Sequence, residues 1–105
     1  MTKPNKQMNH LITLLAQEGI PFEVTVQAFD GVPSIQICTP NVEDCVIDAI
    51  SHNYSYGGDA GLIEIMCQYD DDVFGYLTSA EAFEHFKEAW RRKYSEIKQN
   101  IKNSQ

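Results

Sequence analysis

Lysine and arginine are missing from most of this sequence: between Gln7 and Phe86 there is neither. Thirteen acids fall in the same interval, namely Glu18, Glu23, Asp30, Glu43, Asp44, Asp48, Asp59, Glu64, Asp70, Asp71, Asp72, Glu81 and Glu84. The formal charge of -7 therefore conceals an acidic body with cations only at its ends, Lys3 and Lys6 before it and Lys87, Arg91, Arg92, Lys93, Lys98 and Lys102 after it. A phosphate-binding surface needs clustered cations, because its affinity comes largely from neutralising phosphates and releasing counterions. Only the C-terminal segment could supply them, and its cations share a helix with an aromatic stripe that must be buried. Direct nucleic-acid binding is not expected.

Long apolar runs are also absent. No stretch approaches the roughly 20 residues of a membrane span. The opening "MTKPNKQMNHLITLL" lacks both an extended apolar core and a small-residue cleavage site, so the expectation is a cytoplasmic chain with no membrane partner. Cysteine is scarce and odd in number: Cys38, Cys45 and Cys67 are separated by seven and twenty-two residues. That matches no CxxC metal or redox pattern, and the thiols read as buried side chains. His52 could join Cys38 and Cys45 as a ligand, but zinc sites draw two ligands from a tight knuckle that is missing here, so no metal is expected. There is likewise no nucleophile elbow, no HExxH helix and no EF-hand spacing. The sequence does not read as an enzyme and calls for no cofactor.

What is present suffices for one domain. A chain of 105 residues with 43% hydrophobic content can bury roughly 65% of the surface it exposes when unfolded. In "NKQMNHLITLLAQEGI", Met8, Leu11, Ile12, Leu14 and Leu15 recur at helical spacing. Gly19 and Pro21 stop the pattern, which predicts a helix over about residues 5–18. "PFEVTVQAF" and "VPSIQICTP" alternate apolar and polar residues on either side of Asp30-Gly31, a hairpin signature. Residues 45–53 fit a helical face or a strand, with the strand favoured. "GLIEIMCQY" reads as another strand, and "DVFGYL" can add a short one. In "LTSAEAFEHFKEAWRRKYSEIKQNI", Thr78 and Glu81 have capping-box spacing, so a helix should start there and run to about residue 101. Its stripe of Phe83, Phe86, Trp90, Tyr94, Ile97 and Ile101 approaches a heptad seam, and the tail "KQNIKNSQ" should fray. The expected fold is α+β, a single domain over 1–105 in the order α-β-β-β-β-α, with N- and C-terminal helices packed on a mostly antiparallel sheet.

The densest group of candidate site residues is "HNYSYGGDAGLIEIM", which links the third and fourth strands. Its glycines do not spell GxGxxG and lack the lysine of a phosphate loop, so they read first as a sharp turn that fixes strand register. A binding rim is the other reading. Tyr54 and Tyr56 offer flat faces with polar tips, Gly57 and Gly58 let the loop curl, and His52, Asp59 and Glu64 add hydrogen-bonding groups. Asp70, Asp71 and Asp72 are further candidate binding residues; they read first as a solvated acidic turn, since the spacing of a calcium loop is absent. A small-ligand or nucleotide site, or an enzyme, centred on His52 to Asp59 is the alternative to a protein-binding role.

"DAIxxxYSYGGxxGLxEIM" (Asp48 to Met66), followed by "GYLTxxxxF" (Gly75 to Phe83), resembles a group of small uncharacterised proteins encoded by phages and prophages of Gram-positive bacteria. The resemblance covers about a third of the chain and transfers no catalytic residue. It implies a context in which small accessory proteins act by binding host machinery or host defence. Together with the charge layout it leads to an expected role: an acidic interaction protein, an inhibitor in the strongest form, whose anionic surface meets a host protein with a basic surface. The long final helix adds the expectation of a homodimer through its C-terminal segment.

Overall fold

The structure is a computed structural model and describes residues 5–29, 31–52 and 54–103. Lys3, Asp30 of the expected turn and the last two residues of the tail lie outside the described residues. The elements are α1 (Lys6–Glu18), β1 (Glu23–Phe29), β2 (Val32–Thr39), β3 (Ile47–Ile50), β4 (Ile63–Cys67), β5 (Phe74–Leu77) and α2 (Ser79–Asn103). The fold is α+β as expected, with the short "DVFGYL" segment supplying a fifth strand.

Local chemistry accounts for the ends of α1. The Asn5 carboxamide oxygen accepts the Met8 N–H at 3.0 Å, filling one of the donors that a helix start leaves open. At the other end Gly19 takes the left-handed conformation, φ 74°, and the Ile20 N–H closes onto the Leu15 carbonyl at 3.0 Å. An L-residue resists that backbone conformation, so Gly19 terminates the helix. The Asn5 side chain also donates to Ser51 Oγ at 2.7 Å, pinning the start of α1 to the end of β3.

The sheet is a meander in the order β1-β2-β3-β4-β5, each strand antiparallel to the next. Because directly opposed residues share a face, register alone sorts the side chains. The rows Ile37, Ala49, Ile65 and Thr39, Ile47, Cys67 lie on one face, and the rows Gln36, Ile50, Glu64 and Cys38, Asp48, Met66 on the other. Both helices pack on the first face, where Met8, Leu11 and Leu15 of α1 and Ala82, Phe86 and Ala89 of α2 join Ile37, Ile47, Ala49, Ile63 and Ile65 in the core. The helical layer stops short of the edge strand: Val24 and Val26 share the face of Ile37 and Ile35 yet remain exposed. Among the described residues no helix packs on the second face. The ambiguous segment around Ile47 is a strand because alternation places Ile47 and Ala49 inside and Asp48 outside.

Helix α2 begins as the capping box predicts. The Thr78 N–H donates to Glu81 Oε1 at 3.0 Å, and the Glu81 N–H returns to Thr78 Oγ1 at 3.3 Å. The backbone bond from Thr78 is the main reason the Glu81 carboxyl lies below its usual range. Thr78→Ala should lower the unfolding free energy by about 1 kcal/mol, read from the urea midpoint; an unchanged midpoint would reject the cap. One feature of α2 corrects the sequence expectation. Its buried stripe is Ala82, Phe86 and Ala89, with Phe83 and Trp90 on the flanks and Tyr94, Ile97 and Ile101 exposed, so no continuous seam runs through the monomer. The helix runs to Asn103. At 1.5 Å per residue it is about 37 Å long, which exceeds the reach of the strands and contributes to a longest dimension of 53 Å.

Candidate interaction surface

The β3–β4 connection is knotted by its own hydrogen bonds. Ser55 Oγ accepts from the His52 N–H at 2.9 Å and donates to the His52 carbonyl at 2.8 Å, which also receives the Ser55 N–H at 3.0 Å. The Gly58 N–H then reaches Ser55 O, a single 3-10 turn follows over Gly58–Ala60, and the Leu62 N–H closes back onto Gly57 O. The glycines here are steric necessities. A Cβ on Gly58 would overlap the His52 carbonyl oxygen, and one on Gly57, at φ 92°, would stand 2.7 Å from Tyr76 Cα. The turn reading of "YSYGGDAG" therefore describes the glycines and Ser55, which is buried.

The tyrosines behave differently. Tyr54 is 68% exposed and Tyr56 60% exposed, although the loop holds their backbones firmly. The Tyr54 N–H meets His52 Nδ1 at 3.1 Å, with the two rings 6.2 Å apart. The Tyr56 N–H donates to Glu64 Oε1 at 2.9 Å, and its carbonyl accepts from Tyr76 at 3.1 Å. Tyr56 lies so close over Gly75 that any side chain there would displace it. Opposite Glu64, between the pairs Ile63↔Leu77 and Ile65↔Phe74, β5 carries an irregularity in which both Gly75 and Tyr76 fall. Tyr76 has φ 58° and is 67% exposed. A non-glycine residue in that region carries backbone strain.

A polar ladder runs across the open sheet face below this loop. Gln27 Nε2 donates to Gln36 Oε1 at 2.8 Å, and Gln36 Nε2 donates to Asp48 Oδ2 at 2.7 Å. Burial pushes the Asp48 carboxyl above its usual range; the Gln36 bond opposes this and the Glu64 charge adds to it. The folded chain then holds the Asp48 proton to a higher pH than the unfolded chain, whose aspartates titrate near about 3.9. Between those two values the folded state binds more protons, so stability falls as pH rises through the folded pKa. Asp48→Asn should remove that component: the stability difference, variant minus wild type, should grow from pH 4 to pH 7 in urea titrations. A difference independent of pH would reject the shift.

The residues predicted from sequence separate into two places. His52, Tyr54, Tyr56, Gly57, Gly58, Asp59 and Glu64 come together around the β3–β4 loop, while Asp70, Asp71 and Asp72 sit in the β4–β5 turn, at the opposite end of β4. Met66 and Tyr76 are added by the structure. Register places Met66, 55% exposed, beside Glu64 on the open face, but the exposure of a methionine inside an apolar run has no sequence signal. The three cysteines are free. Burial raises all three thiols, Cys45 to about 12, which leaves them poor nucleophiles at neutral pH. The histidines on helices are engaged, His10 Nδ1 with Ser79 Oγ at 2.6 Å and His85 against the Phe74 ring. Among the described residues no three His, Cys, Asp or Glu side chains gather as a metal site, and no helix is long and apolar enough to cross a membrane. A shallow groove lies on the helical side instead, lined by Ile20, Lys87, Trp90, Arg91 and Tyr94. Comparison with known proteins yields no match, whether with family models, curated proteins or solved structures.

Proposed function

We propose that this chain is a small acidic interaction protein of the phage-encoded type, acting in the cytoplasm as an inhibitor by docking its anionic surface on a basic host protein of defence or nucleic-acid processing. The observation that carries this is the body from Gln7 to Phe86, which holds thirteen acids and no lysine or arginine. Among the described residues, the Lys and Arg ion pairs, Lys87 with Glu84 and Arg91 with Glu88, both lie within α2. The acids of the sheet and its loops are thus left to project one sign of field, which accelerates encounter with cationic clefts and repels anionic competitors. The chain fixed on a resin and exposed to host lysate should retain a basic protein that salt releases between 50 and 200 mM, and that free DNA displaces if the surface stands in for nucleic acid. Retention of acidic partners, or retention insensitive to salt, would overturn the reading.

The same division of charge supports self-association. Beyond Arg92, α2 carries Lys93, Lys98 and Lys102 beside exposed Tyr94 and Ile97, and the acidic body of a second copy complements it. Light scattering at tens of micromolar should report a homodimer that truncation after Tyr94 converts to monomer. A monomeric full-length chain would reject it.

A further inference from the structure

We propose that the open-face patch formed by Tyr56, Glu64, Met66 and Tyr76 is a receptor for an arginine side chain presented by a basic protein segment. The inference rests on the acidic-interaction reading above and gives it a place. Tyr56, Met66 and Tyr76 are each more than half exposed, while the backbones of the two tyrosines are tied together. Tyr56 hangs from Glu64 Oε1 at 2.9 Å, and Tyr76 donates to the Tyr56 carbonyl at 3.1 Å. The aromatic groups are therefore presented from a fixed base, so little ordering entropy is lost when a partner arrives.

Charge selects the partner. Glu64 spends one oxygen on the Tyr56 amide, leaving the other for a donor, and Asp48 stands on the same face one strand away. Tyrosine faces attract cations through the ring quadrupole. The chain itself shows this pairing elsewhere: the Arg92 guanidinium lies 4.5 Å from the Tyr69 ring centroid and Lys98 Nζ lies 4.8 Å from that of Tyr94. Among the described residues no cation of the chain lies over Tyr56 or Tyr76. Guanidinium fits better than ammonium because its plane stacks on a ring while its edge donates to a carboxylate.

The backbone of Tyr76 points the same way. At φ 58° a glycine would sit without strain, and Tyr76 packs little of its surface into the fold. A tyrosine held there at the expense of stability is what a contact residue would show.

The test follows amide NMR signals of the full chain as a short peptide of alternating arginine and glycine is added at low salt, with lysine and citrulline versions in parallel. The arginine peptide should shift the amides of Tyr56, Gly57, Glu64, Met66 and Tyr76, the lysine peptide should bind several-fold more weakly, and the neutral citrulline peptide should leave the spectrum unchanged. Tyr76→Gly should weaken binding on the order of tenfold while melting at the same temperature or higher, an outcome a merely structural tyrosine would not give. Glu64→Gln, which keeps an acceptor for Tyr56, should also weaken it. Shifts confined to other acids, such as Asp70 to Asp72, would overturn this site and leave the acidic-interaction reading standing. Failure of both cationic peptides to bind would overturn both. Equal binding of the lysine or citrulline peptide, or undiminished binding by Tyr76→Gly, would overturn arginine recognition at this patch.

Discussion

Phe86→Ala is expected to destabilise the chain by about 3–5 kcal/mol, the largest penalty of any single truncation in α2. The ring is fully buried, between Ala82 and Ala89 on its own helix and against the core built by Leu11, Leu15, Ile63 and Ile65. Its removal takes away a large apolar transfer free energy and leaves a cavity that the small flanking alanines cannot fill. A domain of this size has roughly 5–15 kcal/mol of stability in total, so the variant should lose about a fifth of it or more. The urea midpoint should fall accordingly, with little change in slope. Trp90→Ala should cost less, because the indole is only partly buried and faces the groove beside Ile20. A loss from Phe86→Ala below that from Trp90→Ala would mean that the helix is rotated from the face described.

That pair of substitutions also shows what was legible in the sequence. The helical spacing of Phe83, Phe86, Trp90 and Tyr94 located α2 and its cap, since periodicity and capping are local properties. It identified the buried face in part: Phe86 is buried and Phe83 and Trp90 pack against the core, but Ala82 and Ala89 give no hydrophobic signal strong enough to compete with aromatic neighbours. The meander was readable for a similar reason: alternation in "EVTVQAF" and "IEIMC" and the short links between strands leave few alternatives to antiparallel pairing. The charge layout needed no structure at all. The candidate surface was legible in part. Tyr56 and Glu64 stand in one short stretch of sequence, and the fold joins them through the Tyr56 N–H. Tyr76 and Met66 complete the patch only through register and through the irregularity opposite Glu64, where one residue more or less in β5 would change which side chain is displayed. Asp70, Asp71 and Asp72 are exposed in the β4–β5 turn, as the acidic-turn reading expects, and the rise of β4 carries them to the other end of the sheet from the loop.

The glycines of "GGDAG" carry the second large expectation, and their costs should differ sharply despite their shared motif. Gly61→Ala meets open space, and only its φ of 73° resists, so it should cost roughly 1 kcal/mol. Gly57→Ala adds contacts of 2.7 Å to Tyr76 Cα and 3.1 Å to Leu62 Cβ to an even less favourable φ of 92°, and should cost more. Gly58→Ala should be the worst. Its Cβ would overlap the His52 carbonyl oxygen and stand 2.6 Å from Ser55 Oγ, the two groups that close the loop. The carbonyl is backbone and the hydroxyl is bonded to it, so the His52–Ser55 bonds must open and leave buried Ser55 without its partners. Overpacking of about 1–3 kcal/mol together with the loss of a buried hydrogen-bonded pair at about 1–3 kcal/mol gives a loss on the order of 4 kcal/mol. Because Tyr56 hangs from the same loop, Gly58→Ala should also release the Tyr56 N–H from Glu64, visible as faster amide hydrogen exchange at Tyr56 and Tyr76. The ranking Gly58 above Gly57 above Gly61, measured by thermal melting, is the check. Equal costs at the three positions would mean that backbone φ alone governs this loop and that the close approach of Gly58 to His52 does not hold it shut.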